Sequence, residues 1–167
     1  MINSYTTKVF KIFNAQGLSV YTPICFENTF ANLCRNACKK GARCFVCLVN
    51  DSWSKSVECQ YQHMAMAVFR AVENNVPVAI SSVSGQTGFI DQNGRIMAMA
   101  VPFTKSYVIG ELPVVPLSQK PTVYNTIGDV FGYGIAFLLL AVLLIRGIIA
   151  IINKIIWQNA QKQEKRI

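Results

Sequence analysis

Residues 18–27 read LSVYTPICFE, and this stretch decides the fold. Val20, Tyr21, Thr22 and Ile24 are β-formers, so Leu18 to Phe26 is expected to be a strand. Asn28 to Lys40 is expected to be a helix, with Gly41 just past it as a C-cap glycine. The break between the two falls at Cys25 to Glu27. A cysteine at a strand end, followed at once by a helix, is well placed as a nucleophile. The positive end of the helix favours thiolate over thiol. Its backbone N–H groups can stabilise an oxyanion. On these grounds Cys25 is the catalytic candidate, although the same pattern also fits a structural cysteine. Phe26 and Glu27 stand beside it, and Glu27 is placed to orient substrate or its own neighbours.

Working outward, Cys44 to Val49 (CFVCLV) reads as a buried strand, and Asn50-Asp51-Ser52 as a polar turn. Gln60 to Asn74 is expected to be a helix with Tyr61, Ala65, Val68, Phe69 and Val72 on its apolar face. Pro77 closes it, and Val78 to Val83 follows as a strand. Thr87 to Asp91 and Arg95 to Val101 flank Gln92-Asn93-Gly94, a strong hairpin signal. Tyr107 to Leu112 is expected to be a last strand. Pro113, Pro116 and Pro121 mark an extended linker. Strands mixed with helices imply a layered α/β domain.

Only 14% of the 167 residues are charged, against about 25% in an ordinary soluble domain. The deficit is explained by residues 130–152, VFGYGIAFLLLAVLLIRGIIAII, which are long and apolar enough for a transmembrane helix. Arg146 lies toward one end, where it can snorkel, and Tyr133 and Trp157 sit near the two ends as interfacial aromatics do. Lys154, Lys162, Lys165 and Arg166 outweigh Glu164 in the tail. By the positive-inside rule the tail is cytoplasmic and the globular part extracytoplasmic. Residues 1–16 have no apolar signal-peptide core, so export is expected to depend on upstream membrane segments. The net charge of +8 comes without an aromatic-interleaved basic stripe, which argues for anionic lipid and against nucleic acid. Arg35, Lys39, Lys40 and Arg43 would share a helix face, a candidate surface for lipid headgroups. The six cysteines and the single His63 lack matched zinc spacings. Cys44 and Cys47, three apart on a strand, point to opposite faces, so no metal is expected.

Ile24-Cys25-Phe26-Glu27 resembles the I-C-Y-E element of the apolipoprotein N-acyltransferases, a branch of the nitrilase superfamily, with Phe in place of Tyr. Val49-Asn50-Asp51-Ser52-Trp53 resembles the S-N-D-x-W segment of that family. Gln62-His63-Met64-Ala65 with Arg70-Ala71-Val72-Glu73 resembles its Q-H helix. Ile90-Asp91-Gln92-Asn93-Gly94-Arg95-Ile96 resembles its I-D-P-x-G-R-I hairpin, and Thr122 to Asp129 its lead into the last membrane helix. The resemblance implies the C-terminal portion of a nitrilase-like α-β-β-α sandwich over residues 1–120. A linker over 121–129, a transmembrane helix over 130–152 and a basic cytoplasmic tail over 153–167 complete the expected layout.

The resemblance also implies a chemistry. Cys25 would take an acyl chain from a phospholipid as a thioester. The chain would then pass to the amine of a diacylglyceryl-cysteine at a lipoprotein N-terminus, at the bacterial cytoplasmic membrane and with no cofactor. Phe26, Glu27, Asn50, Asp51 and Trp53 would lie near the site. Asp51 and Trp53 would shape it, and His63 would pack or hydrogen-bond. The Glu and Lys of the nitrilase triad precede the cysteine by more than the 24 residues present here, so an upstream segment is expected to supply them. Lys8 and Lys11 are candidates by residue type alone. A membrane-tethered amidase-type hydrolase and an inactive, truncated or split product are the competing readings.

Overall fold

The computed structural model describes residues 12–164 apart from Gln16, Val115 and Leu117. Lys8, Lys11 and the last three residues of the tail therefore lie outside the described residues. The chain divides into two compact units, residues 1–128 and 129–167.

The first unit is built on a six-stranded sheet of order β1 to β6. The strands are β1 (Ile12–Ala15), β2 (Leu18–Tyr21), β3 (Cys44–Asn50), β4 (Val78–Val83), β5 (Gly88–Ile90) and β6 (Ile96–Met99). The middle of the sheet, β2–β3–β4, is parallel, and each side is closed by antiparallel pairing. Parallel neighbours need crossovers. Helix α1 (Ala31–Lys39) crosses from β2 to β3, and α2 (Val57–Asn74) crosses from β3 to β4. Both lie on the same face. Phe45, Cys47 and Val49 of β3 and Val78 and Ile80 of β4 pack there with Cys34 and Ala37 of α1 and Met64, Ala67 and Ala71 of α2.

Helix α2 differs from expectation in the face it buries. Its inward residues are Gln60, His63, Met64, Ala67, Arg70, Ala71 and Asn74, while Tyr61, Ala65, Phe69 and Val72 are exposed. Buried polar side chains need partners, and each of these makes at least one hydrogen bond. The Gln60 amide donates to the carbonyls of Asp51 and Ser54, and Asn74 donates to Arg70 O and accepts from Asn125. Arg70 pairs with Glu73 at 3.0 Å and reaches Thr29 O, so the pair braces the helix. Small Ala67 and Ala71 let the helix approach the sheet closely. The start is set by Ser56, whose hydroxyl accepts from Cys59 N.

The hairpin forms as expected. Asp91 Oδ1 accepts from the N–H groups of Asn93 and Arg95, and Gly94 takes φ +81°. Residues 107–112, in contrast, are not a strand. They do not extend the edge of the sheet. A Cβ at Gly110 would stand 2.8 Å from the Phe89 ring. Arg35 also departs from the proposed basic face. Its guanidinium donates to the carbonyls of Tyr124, Asn125 and Thr126, at the end of α3 (Val123–Ile127). A side chain spent on a helix C-terminus is not offered to a headgroup.

The second unit is one helix, α4 (Val130–Glu164). It runs past residue 152, where the membrane segment was expected to end, because Ile155, Ile156 and Trp157 continue the apolar run. Val130–Trp157 is long and apolar enough to cross a membrane, and none of that stretch is buried within the protein. Its 28 residues span about 42 Å at 1.5 Å each, more than the roughly 30 Å of a bilayer core.

Candidate active site

Strand β2 ends at Tyr21, earlier than Phe26, because Pro23 carries no N–H for a ladder. The line of the sheet is held a little longer. Leu48 N–H donates to Pro23 O, and Ile24 bridges to Leu48. At Cys25 the backbone turns to φ +51°, in the left-handed region that disfavours side chains. A 3-10 helix, Cys25–Thr29, begins there, so α1 starts three residues later than expected. Glu27 holds this corner. Its Oε2 accepts the Ile24 N–H at 2.9 Å, while its own N–H donates to Ile24 O. Glu27 thus orients its neighbours. Such a strained non-glycine corner persists only where its surroundings over-determine it, and it points to function.

Cys25 is half-buried, with Sγ 4.0 Å from Asn50 O at the C-terminal end of β3. Asn50 closes an Asx turn, its Oδ1 accepting from the N–H and hydroxyl of Ser52. Asp51 is buried under that turn. Its carboxylate meets His63 Nδ1 at 2.9 Å and the Ser82 hydroxyl at 3.3 Å. His63 Nε2 lies 2.9 Å from Asn28 Oδ1. The Phe26 ring sits 5.9 Å from the His63 ring, centre to centre. Gly85 completes the floor. A Cβ there would fall 2.3 Å from Ser82 Oγ and 2.6 Å from Asp51 Oδ2.

The structure therefore brings Cys25, Phe26, Glu27, Asn50 and Asp51 together. Trp53 is 65% exposed on the loop that follows. Sequence reasoning missed Asn28, Gln60 and Ser82. For Asn28 the signal was its offset of three from Cys25, one turn of a 3-10 helix. Four of the other cysteines are poor nucleophiles. Burial pushes the thiols of Cys34 and Cys38 up to about 12 and that of Cys44 to about 11, and drives Cys47 well above its ordinary value. All six are free, and no metal-binding cluster occurs among the described residues.

The family model for carbon-nitrogen hydrolases matches residues 4–120. Apolipoprotein N-acyltransferase 1 of Treponema denticola is 46% identical over 141 residues, covering 84% of this chain and 25% of that protein. Apolipoprotein N-acyltransferase 1 of Treponema pallidum is 42% identical, covering 74% of this chain and 22% of that protein. Among solved structures, a carbon-nitrogen hydrolase from Helicobacter pylori aligns with 56% of this chain and 40% of its own, at TM-score 0.49 and 13% identity. The chain spans about a quarter of the length of these curated relatives. With its mixed sheet, its helix-covered face and the family match over most of its length, the chain belongs to the carbon-nitrogen hydrolase family.

Proposed function

We propose that this chain is the C-terminal portion of an apolipoprotein N-acyltransferase, with Cys25 as the acyl-accepting nucleophile. The observation that carries the reading is the corner at Cys25. A thiol stands at positive φ, at the C-terminal edge of the parallel strands, where a helical turn begins. The names of the relatives supply the substrate class. Residues 1–120 form the catalytic portion, 121–129 a linker, 130–152 the core of a membrane helix and 153–167 a cytoplasmic tail.

The Cys25 thiolate attacks the ester carbonyl of a phospholipid. The C–O bond breaks, and the lysophospholipid oxygen takes a proton. The free amine of a diacylglyceryl-cysteine then attacks the thioester. The C–S bond breaks, an amide forms and the thiol is restored. A Glu base and an oxyanion-stabilising Lys come from an upstream segment.

The test is capture of the thioester. Membranes carrying the chain, alone and together with an upstream segment bearing that Glu and Lys, are incubated with alkyne-labelled phosphatidylethanolamine. Hydroxylamine-sensitive label is expected on this chain when the segment is present. It is absent from Cys25→Ala. Label that survives in Cys25→Ala, or no label in either membrane, refutes the proposal.

A further inference from the structure

We infer that Asp51, His63 and Asn28 form a positioning relay that holds Cys25 in its strained conformation and so sets the reactivity of its thiol. The inference rests on the reading of Cys25 as nucleophile and adds residues to it.

The geometry runs in one line. Asn28 lies one 3-10 turn after Cys25, and side chains three apart in such a helix eclipse one another. Asn28 thus belongs to the same short helix as Cys25, and it is fully buried. Its amide is held by His63 Nε2 at 2.9 Å, and His63 Nδ1 by Asp51 at 2.9 Å. Asp51 is anchored in turn by the Ser82 hydroxyl and by its own N–H, which donates to Val83 O on β4. The relay thus ties the turn after β2 to the sheet through α2.

The relay does not resemble ordinary core packing. An aliphatic side chain at 63 would fill the space without fixing a rotation of Asn28. Nδ1 donates to the carboxylate, which can only accept. The Asn28 amide can offer its oxygen to a ring N–H or its NH2 to a bare ring nitrogen, so the link is satisfied with the ring charged or neutral. A residue held at positive φ is strained and needs such over-determination. Glu27 pins the corner from the N-terminal side, and the relay pins it from the C-terminal side.

The experiment measures iodoacetamide alkylation of the full chain in detergent micelles, site by site, by mass spectrometry. Cys59, one of the two other partly exposed cysteines, is the internal reference. In the wild-type chain Cys25 is expected to react faster than Cys59. His63→Ala and Asp51→Ala are expected to slow Cys25 about ten-fold, leaving Cys59 unchanged. Added imidazole is expected to restore the rate in His63→Ala. Asp51→Asn, which keeps an acceptor for Nδ1, is expected to stay near wild type and serves where an alanine variant fails to fold. Two negative results separate the claims. If wild-type Cys25 is no faster than Cys59, the nucleophile reading falls and takes the relay with it. If Cys25 is fast and remains fast in folded His63→Ala, or if Asp51→Asn slows it as much as alanine does, only the relay falls.

Discussion

The two faces of the one sheet have opposite fates. On one, Phe45, Cys47 and Val49 of β3 disappear under α1 and α2. On the other, Leu48 and Val83 stand half-exposed, with Phe13 of β1 and Ile24 of the bridge beside them. The composition of the strands does not explain this, because both faces are apolar. The crossovers do. Two consecutive parallel connections of the same hand put both helices on one side. The Cys25 corner sits at the border between the faces. Its support comes from the covered side, through Asn28 and His63. The bare side leaves these apolar side chains partly exposed, as a layer awaiting another layer would.

The comparison can be broken most directly with matched deletions. Phe45 is 0% exposed and Leu48 50%. Phe45→Ala is expected to destabilise the globular unit by about 3–5 kcal/mol. Leu48→Ala is expected to change it by less than about 1 kcal/mol. Urea unfolding followed by circular dichroism measures both, and equal losses would mean that the bare face is packed in solution.

Gly85→Ala sharpens the border between the faces. Its Cβ would collide with Ser82 Oγ and Asp51 Oδ2, a cost of about 1–3 kcal/mol. Loss of stability together with slower Cys25 alkylation is the expected result.

A third test uses pH. Cys34, Cys38 and Cys44 hold their protons to about 12, 12 and 11, above the ordinary 9.0, because burial penalises the thiolate. Above pH 9 the unfolded chain binds fewer protons than the folded one at these sites. Their contribution is intact below pH 9 and is lost as pH rises toward 11–12. The urea midpoint is expected to fall over that window. Replacing Cys44 with Ala should remove part of the fall.

The smallest effect concerns a helix end. Ser56→Ala is expected to cost about 1 kcal/mol through loss of the α2 cap, with no change in Cys25 alkylation. A change in that rate would show that the covered face transmits strain to the corner along the helix.

Much of this was legible in the residues. The strand over Val78 to Val83, the hairpin at Asn93-Gly94 and the apolar stretch beginning at Val130 each carry a strong local signal, and each formed. The placement of Cys25 at a strand-to-helix break was legible for the same reason. The buried face of α2 was not. Periodicity favours the stripe Tyr61, Ala65, Val68, Phe69, Val72, but hydrogen-bond partners for Gln60, His63 and Asn74 come from outside the helix, from Asp51, Ser54, Asn28 and Asn125. No window of one helix contains them. The strand expected at Tyr107 failed likewise, because strand propensity does not say whether an edge is there to pair with.

The positive φ at Cys25 has a consequence for selection on this fold. Glycine would relieve the left-handed penalty there, about 1–2 kcal/mol, less the roughly 0.5–1 kcal/mol of chain entropy that glycine loses on folding. Cys25→Gly should therefore be at least as stable as the wild-type chain while lacking the thiol. Pressure for stability alone would erode this position, and with Cys25 as the proposed nucleophile the corner marks a place where activity and robustness pull a single residue in opposite directions.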